Sequence, residues 1–465
     1  MQGVAHTRSS KLAIAVAATL LACCVAALTS QAAAWQRAAV THQPAPLVHA
    51  AAGPAAPMAS PDAPLSAEAL SAALWVRLGA TNSPWALWLT ARLLAAAQAF
   101  GGDLLVRLEA AEPGGNVFIS PLSIAAALGM AAAGTEPSSP VAAAFATTLR
   151  FDAARGGGPA ALHALSANAS ELRVANSLWA RAAILPSYAE LVSKEFNASA
   201  APMPHAAASV NKWVEEATGG KIKKLVSNEV VADPLTLALL INAVYFKAAW
   251  AKPFDPAHTV ADTPFRGNDG AELRCRMMSA KAQPLLFART PAGVAVALPY
   301  AGGRFRAVLA LPAEPGAEPL RALLGEGNAL GELRSQLTTA RVALQLPRFR
   351  MEYGVKSLRE PLRAMDLGPA FDAAAGAEGG PSFPLMTSDA DAHLSDVLHK
   401  ALLEVTEEGT VAAAATAAIM ATRSIAIQPP PERVVFDRPF AIAIEDAESG
   451  APLFVGLVTA PQFED

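Results

Sequence analysis

Apolar residues along this chain recur with two periods. Residues 172–179, 237–246, 294–298, 307–311, 341–346, 440–444 and 453–459 are short apolar runs enriched in β-branched and aromatic side chains, which predicts strands. The last two flank Asp446-Ala-Glu-Ser-Gly450, whose turn-forming residues predict a hairpin. Helical spacing marks 123–133 and 210–226, the second with Gly219-Gly220 within or near its end. Helix-like spacing also covers 65–108, interrupted at Ser83-Pro84. The early part of that stretch carries Trp75, Trp85 and Trp88. It reads as an extra amphipathic helix packed on the body, with a membrane-surface or partner-binding role as the alternative. These residues by themselves support a mixed α and β fold with several sheets.

One stretch fits neither period. Residues 407–424 read EEGTVAAAATAAIMATRS, and from Thr410 to Thr422 there is no charge, no proline and no glycine. Exposed loops normally carry Gly, Pro, Asn, Asp and Ser, which satisfy turn geometry and stay hydrated. Side chains as small as Ala412, Ala413, Ala414 and Ala415 can lie in water, and can equally slide between two packed strands without steric or desolvation cost. A segment with two possible homes can act as a spring.

Composition narrows the setting. The chain has 465 residues, enough for one large or two ordinary domains, and its formal charge of −4 points to neither nucleic acid nor a polyanion as partner. The 53% hydrophobic content is raised by alanine, not by a bundle of membrane spans. Residues 12–28 are apolar, follow Arg8 and Lys11, and precede small residues ending at Ala32-Ala33-Ala34, the layout of a secretory signal peptide. Residues 1–34 are therefore assigned to a signal and the protein to the secreted class, with no membrane attachment after its removal. An organellar transit peptide is the alternative, because no acidic residue precedes Asp62. Removal of the signal takes Cys23 and Cys24 and leaves Cys275 alone, so no internal disulfide is expected. Sequons at Asn168 and Asn197 suit an extracellular route and add little more. The Ala- and Pro-rich residues 35–66 read as a flexible linker, so 35–90 are taken as linker plus extra helix.

Enzyme signatures are missing. The chain contains no G-x-S-x-G, no H-E-x-x-H, no P-loop and no dinucleotide fingerprint, and its cysteines and histidines lack zinc spacing. No catalytic residue, metal or cofactor is assigned.

Several long motifs resemble the serpins, the large family of serine-protease inhibitors. NVFISPLSIAAALGMAAAGT (116–135) is similar to the family's buried helix, VNKWVEEATGGKIKKLV (210–226) to the helix crossing the main sheet, and LLINAVYFKAAWAKPFDPAHT (239–259) to the strand and loop that follow. SDVLHKALLEVTEEGT (395–410) resembles the strand feeding the reactive-centre loop, and FDRPFAIAIEDAESGAPLFVGLVTAP (436–461) the C-terminal hairpin. The motifs are collinear over 91–465, which is taken as the serpin domain. The resemblance implies an α+β fold with three β-sheets, about nine helices and an exposed reactive-centre loop.

It also implies site residues. The hinge is Glu407, Glu408, Gly409, Thr410, Val411, Ala412, Ala413, Ala414 and Ala415. In serpins the cleaved residue lies fourteen positions after the hinge glycine, which places the reactive bond at Arg423-Ser424. Ser120, Ser123, Asn242 and His399 match the shutter, and Trp250 and Glu407 the breach. Where serpin hinges usually place an acid after the threonine, this chain has Val411, on the side facing away from the core. The link from Ser424 to Phe436 is also longer than is common in the family. The implied activity is that of a suicide substrate: cleavage frees the loop to insert into the main sheet and trap the enzyme. The expected partner is a trypsin-like serine protease or an Arg-specific cysteine protease, held as a covalent acyl complex by a monomeric inhibitor. A non-inhibitory serpin acting as chaperone, carrier or store is the alternative reading.

Overall fold

The computed structural model describes residues 84–150, 171–324, 329–373, 375–376, 380–410 and 430–462. Five strands make the main sheet, in the order β3 (Ser199–Pro202), β2 (Leu172–Ala180), β4 (Ala238–Phe246), β11 (Asp396–Val405) and the second half of β10 (Thr338–Ser357). A second surface joins β6 (Val260–Arg266), the first half of β7 (Glu272–Thr290), the first half of β10 and β13 (Glu432–Val435). The third runs through the end of β7, β8 (Gly293–Pro299), β9 (Phe305–Pro312), β14 (Phe440–Asp446), β15 (Pro452–Val458) and β1 (Val117–Ile119).

Hydrogen bonds fuse the three expected sheets into one thirteen-stranded path, because β7 and β10 are 19 and 20 residues long and each passes from one sheet to the next. Register shifts in β10 at 342/344 and 353/356 bend it on the way. A separate two-stranded pair joins β5 (Ala248–Ala249) to β12 (Gly409–Thr410). Nine α-helices lie among the described residues.

Parity along β4 explains why the main sheet is covered on both faces. All nine residues of this strand are buried. Leu240, Val244 and Phe246 point into the main core, while Leu239, Ile241 and Ala243 meet α5 (Ala207–Ala217) through Val210 and Val214. Under the inner face sits α2 (Pro121–Ala132), buried at every residue and free of charge. The apolar run that predicted this strand is broken only by Asn242, because neither face meets water.

Two expectations need adjusting. The helix expected over 210–226 stops at Ala217: Gly219 and Gly220 take φ of +65° and +80°, which ends a right-handed helix. Ile222, Leu225 and Val226 continue its apolar pattern in a segment without regular secondary structure, packed on the outer face of the main sheet. The second concerns 65–108, where the break at Ser83-Pro84 becomes a helix start, with α1 spanning Pro84–Ala111 and proline in its first turn. Residues 65–83 lie outside the described residues, as do residues 1–34 and the linker 35–66. Among the described residues no helix is long and apolar enough to cross a membrane.

Aromatic packing ties the sheets together. Phe246 of β4 meets Tyr300, Phe305 and Phe454 edge to face, with centroids 5.1, 5.5 and 6.0 Å away, and Phe454 stacks on Phe118 at 5.0 Å. Phe246→Ala should therefore lower stability by about 3–5 kcal/mol, read as a fall in the urea midpoint of intact protein.

Candidate functional site

The main sheet has one seam where a further strand would fit. β4 and β11 are parallel neighbours, paired at seven positions from Leu239 with Asp396 to Tyr245 with Leu402. The chain leaves β11 at Val405 and turns back at once, with the Thr406 N–H and hydroxyl donating to the Gly409 carbonyl at 2.9 and 3.0 Å. Gly409 and Thr410 then pair antiparallel with Ala249 and Ala248, which continue β4. A strand continuing in that direction would lie between β4 and β11, antiparallel to both.

Gly409 is required here by its surroundings. Its φ is +142°, and a Cβ would lie 2.4 Å from the Ala248 carbonyl oxygen and 2.6 Å from the Ala249 Cα. Thr410 is fully buried, with its hydroxyl 2.9 Å from that of Tyr300. Burial raises the Tyr300 phenol well above its ordinary pKa, so it stays protonated and available to hydrogen-bond. Tyr300 stacks on Trp250 with centroids 4.5 Å apart, and Trp250 clamps the turn from both ends. Its indole donates to the Thr406 carbonyl at 3.0 Å and its backbone N–H to the Glu408 carbonyl at 2.9 Å. Glu407 is buried, accepts from the Thr259 hydroxyl at 2.8 Å, and lies 3.8 Å from the Arg348 guanidinium. Glu408 is exposed. Val411, Ala412, Ala413, Ala414, Ala415, Arg423 and Ser424 lie outside the described residues.

A polar row crosses the seam lower down. Asn176 of β2, Asn242 of β4 and His399 of β11 are in register on three adjacent strands. All three share the parity of residues facing the main core, so they must satisfy one another away from water. The Asn242 amide nitrogen donates to Asn176 Oδ1 at 2.5 Å and to the Ser123 hydroxyl, and its Oδ1 lies 2.6 Å from His399 Nδ1. His399 Nε2 accepts the Ser120 N–H at 3.4 Å, which leaves the proton on Nδ1 to donate to Asn242. The Ser120 hydroxyl donates to the Leu453 carbonyl at 2.6 Å, linking the row to the third sheet. Burial lowers the His399 pKa to about 3, so the imidazole is neutral and the assigned tautomer fits every partner.

The site thus brings Ser120, Ser123, Asn242 and His399 together at the middle of the seam, and Trp250 and Glu407 with the hinge turn at its top. Asn176, Tyr300 and Thr259 belong to the same two clusters and were not singled out from sequence. Asn176 carried a faint signal as the one amide inside a mostly apolar strand. Tyr300 and Thr259 carried none, since each meets its partner only through the fold.

Comparison with known proteins follows the same lines. The family model for Serpin (serine protease inhibitor) matches residues 95–461. A leukocyte elastase inhibitor from Bos taurus is 31% identical over 399 residues, covering 80% of this chain and all of the relative. Native protease nexin-1 crystallised with heparin superposes with a TM-score of 0.68 at 26% identity, covering 79% of this chain and 99% of that one. Human thyroxine-binding globulin complexed with its hormone gives 0.69 at 24% identity, over 80% of this chain and all of that one, a likeness of fold.

The polar row makes stability pH-dependent. His399 binds a proton at about pH 6.5 when unfolded but only at about 3 when folded. The unfolded chain therefore holds more protons below pH 6.5, and stability falls with pH at a slope approaching 1.4 kcal/mol per unit. Melting temperatures measured from pH 7 to pH 4 should fall less steeply for His399→Gln than for the natural chain.

Proposed function

Because this chain belongs to the serpin family, we propose that it inhibits a protease as a suicide substrate, cleaved at Arg423-Ser424 and trapping the enzyme by inserting its freed loop between β4 and β11. The observation that carries the reading is the hinge turn, where Gly409 and Thr410 already pair with the extension of β4. Glu407, Gly409 and Thr410 form the start of the hinge, Trp250 and Glu407 the breach, and Ser120, Ser123, Asn242 and His399 the shutter.

The geometry dictates which side chains an inserting segment needs. Thr410 is buried, so alternation puts Ala412, Ala414, Thr416, Ala418 and Met420 on the same inner side. None is charged and the first three are small, whereas a buried charge would cost several kcal/mol. Insertion breaks the one ladder between β4 and β11 and makes two. A strand of roughly a dozen residues then gains hydrogen bonds worth about 1 kcal/mol net each, plus apolar burial at about 25 cal/mol per Å². That gain is comparable with the 5–15 kcal/mol stability of an ordinary domain. The uncleaved protein is on this reading a kinetic trap. The acyl ester to the protease serine forms before insertion, and the enzyme is carried along before water can release it. A non-inhibitory role would be favoured by bulky or charged residues in the inserting part of the hinge, and Gly409 to Ala415 contain none.

Arg423 sets the target class. A guanidinium needs an acidic pocket of the kind trypsin has, and an elastase has only a small one. The bovine relative is named for an elastase, so specificity is read from this chain's own residue. Secretion through residues 1–34 is part of the proposal and rests on their layout of charge, apolar core and small residues.

Mixing with trypsin should yield a complex that survives SDS and boiling, and release a C-terminal peptide beginning at Ser424. Ala412→Arg should abolish the adduct while cleavage at the same bond continues. Cleaved protein without adduct, or nicked protein that melts no higher than intact protein, would overturn the reading.

A further inference from the structure

The second sheet has an outward face that the mechanism leaves unused. Along β10 the side chains of Val342, Leu344 and Leu346 are buried, so Arg341, Ala343 and Gln345 point the other way. On one side Arg433 of β13 pairs with Ala343, and it is exposed while Val434 is buried. On the other side β7 pairs Ala280 with Leu344 and Gln283 with Val342, so Lys281 and Ala282 form a bulge opposite Ala343. Lys281 is exposed at that bulge.

Lys281, Arg341 and Arg433 therefore surround Ala343 on three adjacent strands. Neighbouring strands lie about 4.8 Å apart, so the outer two are roughly 10 Å apart across a small-residue floor. None of the three makes a hydrogen bond or ion pair with another described residue. The nearest acid in sequence, Glu432, is engaged by Arg289 at 2.9 Å. Arg433 also lines an open cleft of about 450 Å³, where Arg289 and Arg438 are already paired with Glu432 and Asp437 and, among the described residues, Arg433 is not. Unpaired cations cost little in water, yet three on one face repel one another, and an anionic partner would relieve this.

We propose that Lys281, Arg341 and Arg433 form a docking surface for an acidic patch on the protease that attacks Arg423. This rests on the reading of Arg423-Ser424 as the reactive bond. Continuity of the chain favours a protease as the occupant. Arg433 is ten residues from Arg423, and ten residues span at most about 35 Å. An enzyme seated on that bond lies within reach of this face, where charge complementarity raises the rate of encounter.

The test uses the full chain and two trypsins of like specificity and opposite surface charge, the anionic and cationic isoforms. At low salt the natural chain should inhibit the anionic isoform about tenfold faster than the cationic one, and the gap should close by about 0.5 M NaCl. Lys281→Glu/Arg341→Glu/Arg433→Glu should reverse the preference. Equal rates for the two isoforms at low salt, or a variant that keeps the natural ratio, would overturn the proposal. A parallel arm measures binding of anionic trypsin whose nucleophilic serine is replaced by alanine. If no covalent adduct forms but this binding weakens in the variant, the trapping reading fails and the docking surface stands; if binding is unchanged, the surface fails. Earlier elution of the variant from heparin, combined with equal isoform rates, would assign the face to a polyanion and also overturn the proposal.

Discussion

The ladder between β4 and β11 is the constraint on which everything else in this molecule depends. Two parallel strands in mid-sheet are an unusual place for a joint that the proposed mechanism needs to open, since both are buried on both faces. On that proposal the joint is breakable because an alternative partner is covalently attached. The chain that ends β11 turns back within four residues, with Gly409 and Thr410 already hydrogen-bonded into the seam. On the proposed insertion, opening the seam need not leave backbone groups unpaired, because the incoming strand would supply a substitute for each freed donor and acceptor. A joint without that substitute would be only a defect.

Resistance to opening comes from the polar row. Asn176, Asn242 and His399 sit where leucine or valine would pack without complication, and each is satisfied only by the others and by α2. Parting β4 from β11 separates His399 from Asn242, and a buried polar group stripped of its partner costs about 1–3 kcal/mol. Such a cost falls on the barrier and is recovered if the groups re-pair after insertion. An apolar seam would resist opening by packing alone, with no sharp distance dependence. The hydrogen-bonded row holds until it is broken, which is the behaviour a loaded device requires.

What was legible in the sequence divides along the same physical lines. β4 was visible because burial on both faces leaves nine buried positions that are apolar except for Asn242. The segment after Gly409 stood out by composition, small and uncharged enough to suit both water and a sheet interior, and from Val411 onward it lies outside the described residues. The end of α5 was misjudged because Ile222, Leu225 and Val226 keep helical spacing while packing in a segment without regular secondary structure, and periodicity records burial without recording conformation. The lengths of β7 and β10 were hidden for a related reason. β10 changes its buried parity at Leu346-Pro347, and β7 is interrupted by a partly exposed stretch around the bulge at Lys281-Ala282 and by Pro284. Tyr300 is 110 residues from the threonine it holds, and no local pattern announces such a pair.

The breach follows from the same need for a poised hinge. Thr410 is held through its hydroxyl by Tyr300, Tyr300 is stacked on Trp250, and Trp250 binds the backbone of the turn, so the start of the segment proposed to insert is fixed by an aromatic wall. This division of labour lets the hinge itself remain featureless. Were Thr410 large enough to anchor itself, the residues after it would need matching pockets, and every pocket would slow the passage of the next side chain. On the proposed mechanism, placing the specific contacts on the stationary wall and leaving the inserting strand small would hold Gly409 and Thr410 in place without obstructing the strand's travel.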